Sequence, residues 1–377
     1  MGAVPRARIV TDADQARALA DGWDALAVAA GRPYCAPAWM LAWWRQVEPP
    51  RSQLCVVAVE DGGDLVGLAP CYVISDRGLP VLRMLGAGFN AGLEPLAVAG
   101  REGEVAEAIT GALAAREERL AVLSLEGLPG DRPWPGLLAT RWPGRTGAKL
   151  SPSFAMPAPF IDLSEGGYAG WLKRRGSKTR AQLRRSRRSL EQAGATLRLA
   201  ALDEHERVVP ELMRLYRGRF EGSGRLAPPV ERMLLEAGAA LGPADRYQLW
   251  VLEAEEGVVG AHLVLRAGDT TGGWGGGFDE AWSRYSPSMG IIAASVEHAA
   301  ATGVRCVDMG EGAPPWKLRL ADGDAGLQWA LVFPRGRRYV QARLWAAPRS
   351  GRRWLVRQAK RLPPGTRQRL RRVLRRG

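Results

Sequence analysis

The sequence predicts an α/β chain: strands and helices mixed in two successive halves, with a basic tail behind them. Three observations predict it. At 377 residues the chain exceeds what one small core organises, and at 46% hydrophobic it has the apolar content for two. Apolar runs with strand character alternate with segments of helical spacing in both halves. A hairpin pattern also occurs twice: Glu60-Asp-Gly-Gly-Asp-Leu-Val-Gly67 and Glu253-Ala-Glu-Glu-Gly-Val-Val-Gly260 share an acidic turn and a Val-Gly at the same spacing, each between apolar strands. Acidic Gly turns are common singly, but repetition in matching settings favours an internal duplication. The expected domains are 1–150, 151–334 and a tail at 335–377.

In order, Asp12 to Ala30 has helical spacing with Leu19, Trp23 and Leu26 on one stripe, and Pro37 to Val47 is a short aromatic helix. Strands are expected at Leu54–Val59 and Leu65–Ile74, then a helix at Glu104–Arg119 and a strand at Leu120–Leu125. Pro129 to Pro159, rich in Pro, Gly and Arg, reads as the crossing between halves. The second half opens with a strand at Phe160–Leu163 and one long helix from Tyr168 to Ala193, stopped by Gly194. A helix at Glu204–Glu221 follows, then strands at Tyr247–Ala254, Val258–Ala267 and Thr270–Gly277, a helix at Ser288–Ala301 and a strand at Val304–Met309.

Charge is distributed unevenly. Residues 335–377 hold 16 Lys and Arg and no acid, whereas the remainder carries 37 basic and 39 acidic residues. The body is therefore near neutral, and the net +14 does not describe a nucleic-acid-binding domain. The four cysteines, Cys35, Cys55, Cys71 and Cys306, form no C-x-x-C pair and have no His at zinc-ligand spacing, so no metal is expected; Cys55 and Cys306, in apolar runs, read as buried thiols. The N-terminus lacks an apolar leader core and no run reaches membrane-span length, which points to a reduced, cytoplasmic protein.

Three segments can carry chemistry. In Trp282-Ser-Arg-Tyr-Ser-Pro-Ser-Met-Gly290, a loop leads into a helix whose first turn accommodates Pro287. The N–H groups of Ser288, Met289, Gly290 and Ile291, with Ser286 and Pro287 before them, would face an anion at the positive end of the helix. Gly290 would allow that anion to come close, although an ordinary helix start has the same sequence. Trp171 to Leu190 holds nine Lys or Arg and no acid, with Arg180 and Arg184 on one face, either an anion site or a solvated basic surface. Val307-Asp308-Met-Gly-Glu311-Gly-Ala-Pro-Pro-Trp316-Lys317 places Asp308, Glu311 and Lys317 at a strand end, where ionisable groups face clefts, or else simply cap a turn. Trp274-Gly-Gly-Gly-Phe278-Asp279 suits close backbone approach or a bulge and keeps Trp274 near the cleft. His262 alternates with apolar neighbours in a strand, as a cleft base or a structural sheet histidine; His298 and His205 read as structural.

A basic helix after a strand, then Tyr285-Ser-Pro-Ser-Met-Gly290, then Gly303-Val-Arg-Cys-Val-Asp308-Met-Gly-Glu-Gly312 with Trp316-Lys317, resembles the GNAT acetyltransferases associated with cellulose biosynthesis. Trp39, Trp43 and Gly67-Leu-Ala-Pro70 match that branch too, so the resemblance runs from about residue 20 to 330 by order and spacing. The branch is related to the Fem-type aminoacyl transferases, which also have two GNAT halves. The resemblance implies tandem GNAT-like domains and acetyl-CoA or another acyl-CoA as cosubstrate, its pyrophosphate at Ser286–Gly290. It further implies an amine acceptor, a small molecule or glycan precursor of polysaccharide biosynthesis, attacking the thioester directly. Asp308, Glu311, Asp279 or His262 would then act as base and Tyr285 as acid to the thiolate, with Arg180, Arg184, Trp274 and Lys317 around the substrates. Two alternatives remain beside this one: a Fem-like transferase with aminoacyl-tRNA as donor, and an inactive GNAT scaffold. The tail, in which Leu344, Trp345, Trp354 and Leu355 alternate with Arg, would lie on an anionic membrane surface, bind RNA, or pack on the body.

Overall fold

The computed structural model describes residues 5–145, 147–219 and 228–347. The first half contains β1 (Arg6–Val10), α1 (Ala13–Arg17), α2 (Ala20–Ala29), α3 (Pro37–Val47), β2 (Ser52–Asp61), β3 (Asp64–Asp76), β4 (Leu79–Met84), β5 (Leu96–Ala97), α4 (Glu102–Ala115), β6 (Val122–Pro129), α5 (Trp134–Thr140) and β7 (Ala148–Met156). The second contains β8 (Pro159–Asp162), α6 (Gly167–Arg174), α7 (Ser177–Gln192), β9 (Thr196–Leu199), α8 (His205–Arg219), α9 (Pro228–Leu241), β10 (Tyr247–Ala254), β11 (Gly257–Ala267), β12 (Thr270–Phe278), α10 (Pro287–Ala301), β13 (Cys306–Asp308), α11 (Pro315–Leu320) and β14 (Gly323–Asp324). β15 (Leu327–Pro334) and a helix α12 over 339–347 follow.

The mixed α/β class holds, as two mixed sheets. One runs β1-β2-β3-β4-β6-β15-β7, with β5 on β3; the other, read from its far edge, runs β9-β10-β11-β12-β13-β8-β14. The two orders correspond strand for strand. Each sheet has one parallel pair between consecutive major strands, β4–β6 and β12–β13, and each pair is joined by a crossover helix, α4 or α10, as parallel pairing demands. The repeated hairpins fall at β2–β3 and β10–β11, with a register shift at Val59/Glu60 in one and Leu252/Glu253 in the other. Even the repeated glycine has one task. A Cβ at Gly67 would lie 2.3 Å from Val105 of α4, and one at Gly260 3.2 Å from Ile291 of α10, so each lets the crossover helix settle on its sheet.

The chain passes from one sheet to the other between β7 and β8 and returns between β14 and β15. The 150/151 boundary thus falls inside β7, and β15 belongs to the first sheet. The two crossings run side by side: Asp324 Oδ1 accepts from Ala158 N at 2.7 Å and Gly326 N at 2.9 Å. One apolar cluster also includes residues of both halves, among them Trp39, Phe89, Leu212, Leu263, Leu265 and Trp274.

Three expected readings differ. The stretch 129–159, read as the crossing between halves, holds α5 and β7, so the crossing itself is only the link between β7 and β8. The long helix breaks at Arg175-Gly176 into α6 and α7, because the buried Arg175 side chain turns to the Leu320 carbonyl at 2.7 Å and to Asp322. The chain beyond Arg335 does not leave the body at once. In α12, Ala342, Trp345 and Ala346 pack on Leu79, Val81, Val122 and Phe333 of the first sheet. Trp354, Leu355 and the rest of the tail lie outside the described residues. No helix among the described residues is long and apolar enough to cross a membrane.

Candidate functional site

The β12–β13 ladder is short: Thr270, Thr271 and Gly272 pair with Cys306, Val307 and Asp308. Beyond Gly272 the strands part, and β12 continues to Phe278 paired with β11 alone among the described strands. Paired residues project to one face of a sheet, with a period of two along each strand. Asp308 therefore shares a face with Gly272, while Val307 faces the α10 side and joins the cluster of Trp171, Val296 and Leu320.

The Asp308 face is covered by the first half. A Cβ at Gly31 would lie 2.7 Å from Thr270 Oγ1, and one at Gly272 3.1 Å from the Tyr34 ring and hydroxyl, so residues 31–34 lie across the stretch that pairs with β13. Burial raises the Asp308 pKa, against the Gly310 N–H and the charges of Arg32 and Lys317. Asp308 Oδ1 accepts from Gly310 N at 2.7 Å. Lys317 is buried, donating from Nζ to the carbonyls of Gly310 (3.0 Å) and Glu311 (2.8 Å), and burial lowers its pKa. Asp308 and Lys317 both bond Gly310, close to the point where the strands part. Glu311 contributes its carbonyl, while its side chain is exposed.

The glycine run in β12 has a packing explanation on both faces. A Cβ at Gly275 would lie 2.8 Å from the Tyr216 ring, and one at Gly277 2.5 Å from the Leu215 backbone of α8. On the other face, Cβ atoms at Gly273 and Gly276 would lie 3.1 and 2.6 Å from the His262 ring. A bulge at Trp274 resets the alternation between them. Trp274 itself stacks on Tyr216 at 5.7 Å and meets Trp39 and Phe89 of the first half, making it a joint between halves. Burial pushes the His262 pKa down to about 4, against a hydrogen bond to the Gly275 backbone. His262 is directly paired with Trp250, which packs with Ile291 of α10, and lies on the face opposite Asp308. Asp279 is a cap, accepting from Ala281 N at 3.0 Å.

The start of α10 differs from the expected open cradle. Pro287, Met289, Gly290 and Ile291 are buried. A Cβ at Gly290 would lie 2.7 Å from Leu190 and 3.1 Å from Ser186 Oγ, so this glycine serves helix packing against α7 rather than ligand approach. Ser186 Oγ donates to the Ser286 carbonyl at 2.9 Å, and Ser286 is left-handed at φ 56°. Beside this contact lies an open groove of about 450 Å³ lined by Lys178, Gln182, Arg185, Ser189, Arg284 and Tyr285, among others. A neighbouring groove of about 380 Å³ is lined by Arg184, Arg185 and Arg188. Tyr285 belongs here, its hydroxyl accepting from Arg284 at 2.6 Å.

The basic segment is less uncompensated than its sequence suggests. Asp322 takes Arg174 and Arg175, and Arg187 pairs with Glu191 and Glu297. Arg180 is half-buried and donates to the Arg175 carbonyl at 2.6 Å. Lys178, Arg184, Arg185 and Arg188 have no acidic partner among the described residues.

Residues 177–318 match the acetyltransferase (GNAT) domain family. The match starts at the first residue of α7 and takes in the α7–α10 grooves, the strand parting and the Asp308–Lys317 turn. Among solved structures, the fold is similar to that of FemX, with a TM-score of 0.61 at 11% identity over 85% of this chain and 97% of that one. It is also similar to L-PGS from Bacillus licheniformis, at 0.54 and 12% over 89% and 96%. The C-terminal domain of a putative lysylphosphatidylglycerol synthetase from Agrobacterium fabrum gives 0.52 and 10% over 89% and 97%. At such identities the fold is what is shared. No curated protein matches the chain.

Arg32, held by Glu94 at 2.6 Å, lies next to residues of the first half that touch Thr270 and Gly272, and its sequence setting does not single it out. The available signal was an acid alone in the apolar run Phe89 to Val98.

Proposed function

We propose that this chain is a GNAT-type acyltransferase that takes an acyl group from a phosphate-bearing donor, acetyl-CoA or another acyl-CoA, and passes it to an amine. The observation that carries the reading is the parting of β12 from β13 after Gly272, with Asp308 at its mouth and a basic groove at the start of the crossover helix. Donor phosphates sit on Lys178, Arg185 and Arg284. The donor's arm passes through the parting and presents its carbonyl on the Asp308 face, where a backbone N–H at the parting polarises it. The amine nitrogen attacks the carbonyl carbon, the C–N bond forms and the C–S bond breaks. Asp308, whose raised pKa suits proton transfer, takes the proton of the amine. The thiolate leaves on the groove side, where Tyr285 is the candidate acid. His262, held neutral on the other face, is a weaker candidate for base than Asp308. The acceptor is a small-molecule or glycan-precursor amine, as the resemblance to the cellulose-biosynthesis branch implies.

Calorimetric titration with acetyl-CoA tests the donor. Heat in the wild type that is lost in a Lys178→Gln, Arg185→Gln variant supports the groove; no heat in the wild type removes the acyl-CoA reading. A second donor, aminoacyl-tRNA, is favoured by one observation: Lys178, Arg184, Arg185 and Arg188 have no acidic partner among the described residues along about 15 Å of α7. Strongly salt-dependent tRNA binding without acetyl-CoA heat would select it. The basic stretch from Arg335, which shows Val340 and Leu344 to solvent on α12, is proposed to dock on an anionic membrane surface. Equal co-sedimentation with anionic and neutral vesicles would remove that part.

A further inference from the structure

Glu94 is wholly buried in the first half and lies between two arginines. Its Oε1 accepts from Arg32 Nε at 2.6 Å and its Oε2 from Arg132 Nε at 2.9 Å. Both guanidinium groups spend their inner nitrogen on one carboxylate, and Asp131 acts on Arg32 only through its charge, so the outer nitrogens are left for other acceptors. The terminal nitrogens of Arg32 have no hydrogen-bond acceptor among the described residues, and its side chain keeps 22% of its surface in contact with solvent. Arg132 reaches Glu102 only at 3.9 Å.

The position of Arg32 gives these nitrogens a use. Gly31 and Pro33-Tyr34 on either side of it touch Thr270 and Gly272, the residues that pair with Cys306 and Asp308. Arg32 is thus carried by the first half over the face of the second sheet where Asp308 projects. A buried carboxylate that fixes a guanidinium by its Nε leaves the outer fork preorganised, the geometry that takes an oxyanion through two parallel N–H bonds.

We infer that Arg32, fixed by Glu94 beside Arg132, is the seat for an oxyanion on the acceptor, so that the amine presented to Asp308 also carries a carboxylate or a phosphate. This rests on the acyl-transfer reading for the role of Asp308, though the seat itself does not need the donor. It assigns the halves different tasks: the second binds donor and reacting atoms, and the first selects the acceptor.

The test uses three small amines on the full chain: β-alanine with a carboxylate, O-phosphoethanolamine with a phosphate, and ethanolamine with neither. Calorimetry without donor is expected to show at least one anionic amine binding about tenfold or more tightly than ethanolamine, the size of a lost charge-assisted hydrogen bond. Which one names the source of the oxyanion. Arg32→Gln is expected to remove the preference, and Arg32→Lys to keep part of it. The ratio of affinities does not depend on the folded fraction, and Arg132 still holds Glu94 in both variants, so partial destabilisation does not blur the result. Equal affinity for all three amines in the wild type, or a preference that survives Arg32→Gln, overturns the proposal. Acetyl-CoA titration of Arg32→Gln is expected to match the wild type. Loss of acetyl-CoA heat in the wild type with the amine preference intact would remove the donor reading and leave the seat standing.

Discussion

In the first sheet the parallel ladder ends on the pair Arg83 and Ser124; in the second it ends on Gly272 and Asp308. These are the same place in two copies of one strand order. In the first, Arg83 meets Glu126 through two bonds of 2.8 Å, and Ser124 Oγ donates to Glu126 at 2.9 Å. Ionic side chains therefore fill the site and neutralise one another. In the second, glycines stand at 272, 273 and 310, and Asp308 bonds a backbone N–H rather than a cation. A charge paired by contact with its neighbours is structural, whereas a half-buried carboxylate that has no ion pair among the described residues, with the Arg32 and Lys317 charges near it, stays available to a ligand. Both sheets part at the same place in the strand order, and in the first the parting is plugged.

The largest test of this contrast is catalytic. Asp308→Asn is expected to lower kcat by about 10²–10⁴-fold, the usual weight of a general base, with little change in Tm. Glu126→Gln, in the plugged copy, should do the reverse: normal kcat and a loss of about 1–3 kcal/mol of stability, because Arg83 loses its charged partner. Steady-state kinetics with thermal melts on both variants separates the two, and a Glu126→Gln enzyme that is inactive but fully stable would break the comparison.

Acid sharpens it next. The folded pKa of His262 is about 4 against an ordinary 6.5, so between those values the unfolded chain holds a proton that the native chain does not. Stability should fall with acid in that window, by at most about 1.4 kcal/mol per pH unit. Asp308 acts oppositely. Its raised pKa makes the native chain hold the extra proton just above the ordinary carboxylate range, so stability rises there as pH falls. Denaturant titrations from pH 4 to 7 should show a flatter acid slope in His262→Gln and a steeper one in Asp308→Asn.

The paired glycines come third. Gly67→Ala is expected to cost about 1–3 kcal/mol, the range for overpacking, because its Cβ would overlap Val105. Gly260→Ala should cost less, since Ile291 meets it at 3.2 Å with the end of a movable side chain. Urea melts giving equal losses would mean that the crossover helices are not held alike. The smallest effect is expected on α7. Replacing Lys178 and Arg185 by Gln should weaken acetyl-CoA about tenfold and reduce its salt dependence, while Arg188→Gln, in the neighbouring groove, changes affinity by less than about threefold. A larger effect from Arg188 would place the donor further along the helix.

The sequence left β1, β4, β7, β9, α9 and β15 unread. By itself it determined the central elements around the site, the repeated hairpin, and Asp308 at a strand end. These follow from short-range signals: apolar periodicity, turn residues, and glycines where a helix meets a sheet. Only the tertiary structure decided the rest, because the deciding partners are far apart in the chain. Arg175 breaks the basic helix for Asp322, a partner 147 residues away. Gly290 packs against Leu190, 100 residues away in the chain, and β15 returns to the sheet of the other half. Arg32 acquires a role only once Glu94 fixes it, 62 residues on, and Thr270 and Gly272 lie beneath it. Local pattern specifies which face of an element is apolar, but not which element of another half will cover it. That is decided when two sheets pack around shared residues such as Trp39 and Trp274.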